Sequence, residues 1–124
     1  MTLSPDRVRA ARPDLATAID EHYAELVGAL DPAIAELCRR HVVRLLDGGD
    51  APPQADAGLT GRERACLALA EQFVFSAQWV SDEHVSAVTE YMEPGQVLAL
   101  VALVSLVERT ERLERFLGSA AEVA

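Results

Sequence analysis

The stretch Val97–Val107 limits the possible folds more than any other part of this sequence. Ser105 is its only polar residue. A helix without a polar face cannot lie on a protein surface, so it belongs in the middle of a core or of an assembly of several chains. The run is too short to cross a bilayer, which takes about 20 apolar residues. It therefore predicts a buried helix at the centre of a helical protein.

The sequence beyond Val107 predicts that the same helix continues out of the core. An apolar line runs on through Leu113 and Leu117, with charged residues around it. We expect a helix from Pro94 to Gly118, because proline is favoured in a first helical turn and glycine just past the last. We interpret the surrounding charges as a solvated or inter-subunit ladder. They are Glu108, Arg109, Glu111, Arg112, Glu114 and Arg115.

Capping signals divide the rest of the chain into further helices. Asp31 precedes Pro32 as an N-cap, and Thr60 with Glu63 forms a capping box. No window alternates apolar and polar residues over the length of a strand. We therefore predict an all-α fold, a single compact domain over residues 1–124 with five to six helices. Before the last helix, these are a short turn near Ser4–Asp6 and helices at about Pro13–Ala29, Pro32–Leu46, Thr60–Ala77 and Val80–Met92.

The composition excludes several functions. The chain has 20 acidic and 11 basic residues and a formal charge of −9 at pH 7, so it repels phosphate backbones and anionic membranes. Every basic residue is arginine, which rules out chemistry that needs a lysine amine. The sequence shows neither a secretion leader nor an apolar run of membrane length. We therefore expect a cytoplasmic protein that binds neither nucleic acid nor membrane.

Cys38 and Cys66 are the two cysteines of the chain. They lie far apart in the sequence, and in a reducing compartment such residues are mostly small buried apolar side chains rather than disulfide partners. No Cys-x-x-Cys pair or Cys/His cluster has the spacing of a metal site. We therefore expect no metal and no organic cofactor.

Three segments, taken in order, resemble a known family. They are DPAIAELCRRHVVRLLDG from Asp31, LTGRERACLALAEQF from Leu59, and VSDEHVSAVTEYMEPGQVLALVALVSLVERTERLERFLG from Val80. The last two resemble the second half of alkylhydroperoxidase D-like and carboxymuconolactone decarboxylase-like proteins, and the first is similar to the helix that leads into that family's active site. The resemblance implies a compact helical fold that assembles through its long helices, as a homodimer, trimer or hexamer.

The reactive members of that family carry a glutamate, a Cys-x-x-Cys pair and a histidine. The dithiol attacks and then resolves a peroxide, while the other two groups relay the proton. Alignment without gaps places Glu36 at the glutamate, but it places Gly48 and Ala51 at the cysteines and Ala55 at the histidine. The resemblance therefore implies a divergent member that lacks the family's peroxidase chemistry.

Five residues remain candidates for a functional site. Cys38 and His41 are three apart on one helix, which permits a thiolate–imidazolium pair, although a packed cysteine beside a packed histidine is the commoner arrangement. Glu36 could face a cavity or only pair with nearby arginines. Arg112 matches an arginine of the family and could hold a substrate carboxylate. Trp79 could cover a small apolar pocket or belong to the core.

These residues leave three functions open. One is a non-peroxidase helical assembly, or a small-ligand-binding member, that kept the fold and lost the dithiol. The second is a cofactor-free decarboxylase or lactone-handling enzyme that uses Glu36, His41 and Arg112. The third is an antioxidant peroxidase that works through Cys38 or Cys66 alone. We favour the first, and Glu36 converging with Arg112 in one cavity would favour the second.

Overall fold

The computed structural model describes residues 2–48, 58–76 and 80–123. Within these ranges the chain is helical and contains no strand, which confirms the predicted all-α fold. The predicted helices Pro13–Ala29 and Pro32–Leu46 are also confirmed with those bounds. The helices of the described ranges are α1 (Asp6–Ala11), α2 (Pro13–Ala29), α3 (Pro32–Leu46), α4 (Gly61–Ser76), α5 (Asp82–Thr89) and α6 (Pro94–Val123).

Helix α6 lies at the centre of the fold. It packs against each of the other five helices, and its inward side chains Leu100, Leu103 and Val107 are fully buried. Full burial of such a side chain contributes about 1.5–3 kcal/mol relative to leaving it in water. The apolar run therefore forms the core helix that the sequence predicts.

Side-chain caps explain where α3, α4 and α5 begin. Asp31 Oδ1 accepts the backbone N–H two residues further on, at 2.9 Å. Glu63 donates its N–H to Thr60 Oγ1 at 3.1 Å and accepts the Thr60 N–H at 2.8 Å, so the predicted capping box is confirmed. A second box opens α5, where Ser81 donates its N–H to His84 Nδ1 at 3.1 Å. Histidine takes the place that glutamate or glutamine usually fills in this motif.

The predicted end of α6 at Gly118 is wrong. The helix continues to Val123, and Gly118 does not have the positive φ of a helix-ending glycine. A Cβ at this position would meet the Arg7 side chain of α1, and Ala120, Ala121 and Glu122 beyond it are good helix formers. Because Gly118 keeps a helical backbone, it does not act as a C-cap, and α6 continues past it.

The predicted extent of α5 is also wrong. The helix ends at Thr89 rather than near Met92, and Val85 within it is 40 % exposed. The chain turns sharply here, because α5 and α6 meet at an angle of 119°. Among the described helices, no single one is long and apolar enough to span a membrane, and α5 and α6 meet that criterion only when taken together as a bent pair.

One edge of the apolar run meets water in the single chain. Leu98 is 72 % exposed, while Val101, Ala102 and Ser105 are half-buried. The other helices cover most of the circumference of α6 but leave this edge open.

Candidate functional site

Both cysteines are buried and free of disulfides, as the sequence predicts. Burial, with a smaller contribution from Cys66 nearby, raises the pKa of the Cys38 thiol to about 12. Burial also raises the pKa of Cys66, whose Sγ lies 3.5 Å from Met92 Sδ. The thiolate is the form that attacks peroxides. Neither cysteine therefore has the exposure or the acidity of a peroxide-reducing thiol.

Glu36 is held by two arginines of its own helix. Its Oε1 lies 2.6 Å from Arg39 Nη2 and 3.0 Å from Arg40 Nε. These contacts lower the pKa of Glu36 to about 2, and the hydrogen bond with Arg39 has the largest effect. A general base acts best when its pKa lies near the working pH, so this arrangement makes Glu36 a poor proton acceptor at neutral pH.

His41 is buried between α3 and α4. Its side chain is 4 % exposed, and its Nε2 lies 3.5 Å from Oε2 of Glu71, a residue of α4 that is itself 46 % exposed. The charge of this contact depends on whether the imidazole is protonated. His41 therefore contributes to the packing of α3 against α4. The sequence does not predict Glu71 as its neighbour, because the two residues are far apart along the chain.

The structure does not bring Arg112 and Glu36 together. Arg112 Nε lies 3.0 Å from Glu108 Oε1 on the same helix, and its side chain is 56 % exposed. Glu111 of α6, rather than Arg112, interacts with the Glu36 region. The hydrogen bond with Glu36 is the main cause that raises the pKa of Arg39, and the negative charge of Glu111 adds a smaller contribution. The fifth candidate, Trp79, lies outside the described residues.

Two open cavities in the described structure lie away from all of these side chains. One, of about 630 Å³, follows the turn between α5 and α6. The other, of about 410 Å³, lies where α3 and α4 begin, beside Asp31, Arg62 and Tyr91. Within the described ranges no group of three histidine, cysteine, aspartate or glutamate side chains is arranged to hold a metal ion.

The outer face of α6 is a regular surface of the described chain. Its members recur at alternating spacings of three and four residues, which is the pattern of a coiled-coil seam. Two large apolar side chains stand towards its ends, Leu98 at 72 % and Phe116 at 66 % exposure. Heptad spacing in the sequence could have identified it, but the continuous apolar run hides that period. This surface, the α6 face, consists of Gly95, Leu98, Ala102, Ser105, Arg109, Arg112 and Phe116.

No protein-family model matches this chain, and neither a curated protein nor a solved structure shows significant similarity to it.

Proposed function

We propose that this protein is a non-peroxidase helical subunit, of the alkylhydroperoxidase D-like type without its dithiol, that acts by associating with further copies of itself through the α6 face. The observation that carries this proposal is the exposure of Leu98, at 72 %, on a helix whose other sides form the core. Covering such a side chain contributes about 1.5–3 kcal/mol. A face with heptad spacing is suited to receive another helix along its whole length.

The chemistry of the candidate residues supports assembly over catalysis. A single-cysteine peroxidase needs an accessible thiolate, whereas Cys38 and Cys66 are fully buried. A decarboxylase or lactone-handling enzyme needs Glu36, His41 and Arg112 around one substrate. Glu36 and Arg112 are instead neutralised by partners on their own helices. Neither of the two cavities described above is lined by any of these side chains.

The molar mass in solution tests the proposal. We expect sedimentation velocity or light scattering, over a wide range of concentration, to show a dimer or larger species for the natural chain. Leu98→Glu should shift that species towards the monomer. Val85→Glu is the matched control, because it places the same charge on another exposed aliphatic position, 40 % exposed on α5.

A natural chain that stays monomeric at every concentration would contradict the proposal. If the Leu98→Glu variant assembles as well as the Val85→Glu variant, self-association does not use the α6 face. Far-ultraviolet circular dichroism checks that both variants fold, which we expect because both positions are exposed.

A further inference from the structure

We infer that this protein binds a fatty acid of medium chain length in a groove between α2 and α6, with the carboxylate held by Arg109 and Thr110 and the tail directed towards Leu117. The inference goes beyond self-association and does not depend on it, because both walls of the groove belong to one chain. The lining of the groove and the two polar groups at one of its ends carry the inference.

Two adjoining cavities form this groove, which we call the α2–α6 groove. The first, of about 250 Å³, is lined by Leu15, Ile19, Leu106, Arg109, Thr110 and Leu113. The second, of about 170 Å³, shares Leu15 and Leu113 with the first and continues along α6 to Leu117. Leu15 is 39 % and Leu113 36 % exposed, so the groove is open to solvent. The two volumes taken together are in the range of about 300–1,000 Å³ that is typical of small-ligand pockets.

The walls of the groove suit an aliphatic tail. The α6 wall consists of residues that recur at spacings of three and four, which places them along one side of the helix. Apart from Arg12 and the two polar groups at the Arg109 end, the described residues that line the groove are apolar, and no acidic side chain is among them. An alkyl chain that lies in the groove is therefore removed from water without meeting a negative charge.

Arg109 is available to bind an anion. Its Nε donates to the backbone oxygen of Ser105 at 3.3 Å, and it forms no ion pair with a described residue. The terminal amino groups of its guanidinium can hold both oxygens of a carboxylate. The α6 face to which Arg109 belongs contains no acidic residue. A carboxylate from solution therefore supplies the charge that the face lacks.

Thr110 places a hydroxyl beside this guanidinium. Its residue is only 3 % exposed and lines the same cavity as Arg109. Thr17 and Thr89 each donate their hydroxyl to a backbone oxygen of their own helix, whereas the Thr110 hydroxyl has no hydrogen-bond partner among the described residues. A polar group shielded from water without a partner is costly. A carboxylate oxygen bound by Arg109 would accept that hydrogen bond.

The opposite end of the groove does not compete for the carboxylate. The arginine there, Arg12, already pairs with Asp14 through two hydrogen bonds of 2.9 and 2.8 Å. The charge of Arg12 is thus neutralised within the chain, and the head group belongs at Arg109.

The length of the groove sets the length of the tail. From Arg109 to Leu117 the helix rises about 12 Å. An extended alkyl chain advances about 1.3 Å per carbon, because its C–C bonds are about 1.5 Å long, so about nine carbons span this distance. Decanoate is therefore the probe that matches the groove.

Isothermal titration calorimetry with three probes tests the inference on the natural chain. We expect decanoate to bind at least about tenfold more tightly than hexanoate, which has the same head group and a shorter tail. Decyltrimethylammonium has the same tail length and a positive head group, and we expect it to bind at least about tenfold more weakly than decanoate. The formal charge of −9 favours the cation in general, so a preference for the anion has to come from the groove.

Three variants locate the site. Arg109→Gln should raise the dissociation constant of decanoate at least about tenfold. Thr110→Val, which keeps the shape and removes the hydroxyl, should raise it about twofold to tenfold. Ala11 is exposed and lines the second cavity, so Ala11→Phe should fill the tail end and reduce the advantage of decanoate over hexanoate.

Arg40→Gln on α3 is the matched control, because it removes the same charge as Arg109→Gln from an exposed position outside the groove. We expect it to leave the dissociation constant within about twofold of that of the natural chain. Circular dichroism checks that each variant is folded.

The outcomes separate this inference from the proposed function. Absence of saturable decanoate binding, equal binding of decyltrimethylammonium, or unchanged affinity in Arg109→Gln would each overturn the inference. Loss of affinity in Arg12→Gln but not in Arg109→Gln would also overturn it, since the carboxylate would then lie at the other end. A chain that assembles without binding decanoate contradicts this inference alone, whereas a monomer that binds decanoate contradicts only the proposed function.

Discussion

Glu114 Oε2 on α6 accepts the backbone N–H of Val8 on α1 at 3.0 Å. Its other oxygen accepts the N–H of Arg7, also at 3.0 Å. Helix α1 has no side-chain cap of its own at Pro5, so the last helix of the chain supplies the cap of the first. Part of the predicted charge ladder is thus used within the chain, since Arg115 also reaches Asp47 at 2.7 Å.

Glu114→Gln should weaken this cap and lower the free energy of unfolding by about 1–2 kcal/mol, because two helix N–H groups lose a charged acceptor. Urea denaturation measures the change. Glu25→Gln is the control, since Glu25 is 80 % exposed and its nearest charged partner is 3.9 Å away, and we expect it to change stability by less than about 0.5 kcal/mol. Equal effects of the two substitutions would contradict the cap.

Asp20 should make the free energy of unfolding decrease as the pH falls into the acid range. Its carboxylate accepts the N–H groups of Leu3 and Ser4, each at 2.8 Å, and the Ser4 hydroxyl at 2.9 Å. Partial burial on its own would raise the pKa of Asp20, but the hydrogen bonds from Ser4 and Leu3 together outweigh it and hold the pKa below the ordinary 3.8.

A carboxylate with a lowered folded-state pKa stabilises the fold fully above its unfolded pKa and loses that contribution as the pH falls through the folded value. The stability difference between the natural chain and Asp20→Asn should therefore be constant from neutral pH to about 5 and shrink below about 4. Urea denaturation at successive pH values measures it. A difference that persists unchanged into strong acid would contradict the assignment.

Neither cysteine should react quickly with a thiol reagent in the folded protein, because both are buried and the pKa of Cys38 is about 12. At neutral pH we expect two slow thiols, both becoming fast after denaturation. Cys38→Ala and Cys66→Ala should each leave one slow thiol. A fast reaction that disappears in Cys38→Ala would instead support the Cys38–His41 pair.

Two glycine substitutions should have opposite effects. Gly118 lies inside a helix and meets only the mobile end of Arg7, which is 57 % exposed, so Gly118→Ala should stabilise the protein by about 0.5–1 kcal/mol. Gly48 has a φ of +81° and no atom near a Cβ position, so Gly48→Ala should cost about 1–2 kcal/mol through backbone strain alone. Thermal unfolding compares them, and destabilisation by Gly118→Ala would show that the Arg7 side chain does not make room for the added methyl group.

Local signals in the sequence predicted most of the fold. The caps at Asp31 and Thr60 involve residues only two or three positions apart, and Glu36 pairs with arginines three and four positions away. Their geometry follows from the helix itself. The same reasoning misplaced the ends of α5 and α6; for α6 it took Gly118 as a stop signal, whereas Gly118 keeps a helical backbone inside the helix.

The candidate site was less predictable, since its contacts join distant parts of the chain. Neither Glu71 beside His41 nor Glu114 at the start of α1 has a local signal. The sequence did predict that Cys38 and Cys66 are buried and unpaired, because residue type alone favours that outcome. It could not show that Arg112 stays with Glu108, since an i,i+4 partner and a distant carboxylate are equally compatible with its position.

The central position of α6 has a consequence for how the protein forms. Among the described helices, α1 packs mainly on α2 and α6, and α2 meets the rest of the body chiefly through α6. Until residues 94–123 emerge during synthesis, the N-terminal pair has almost nothing to pack on. Completion of the fold therefore waits for its last helix, and the exposed α6 face arises in the same step.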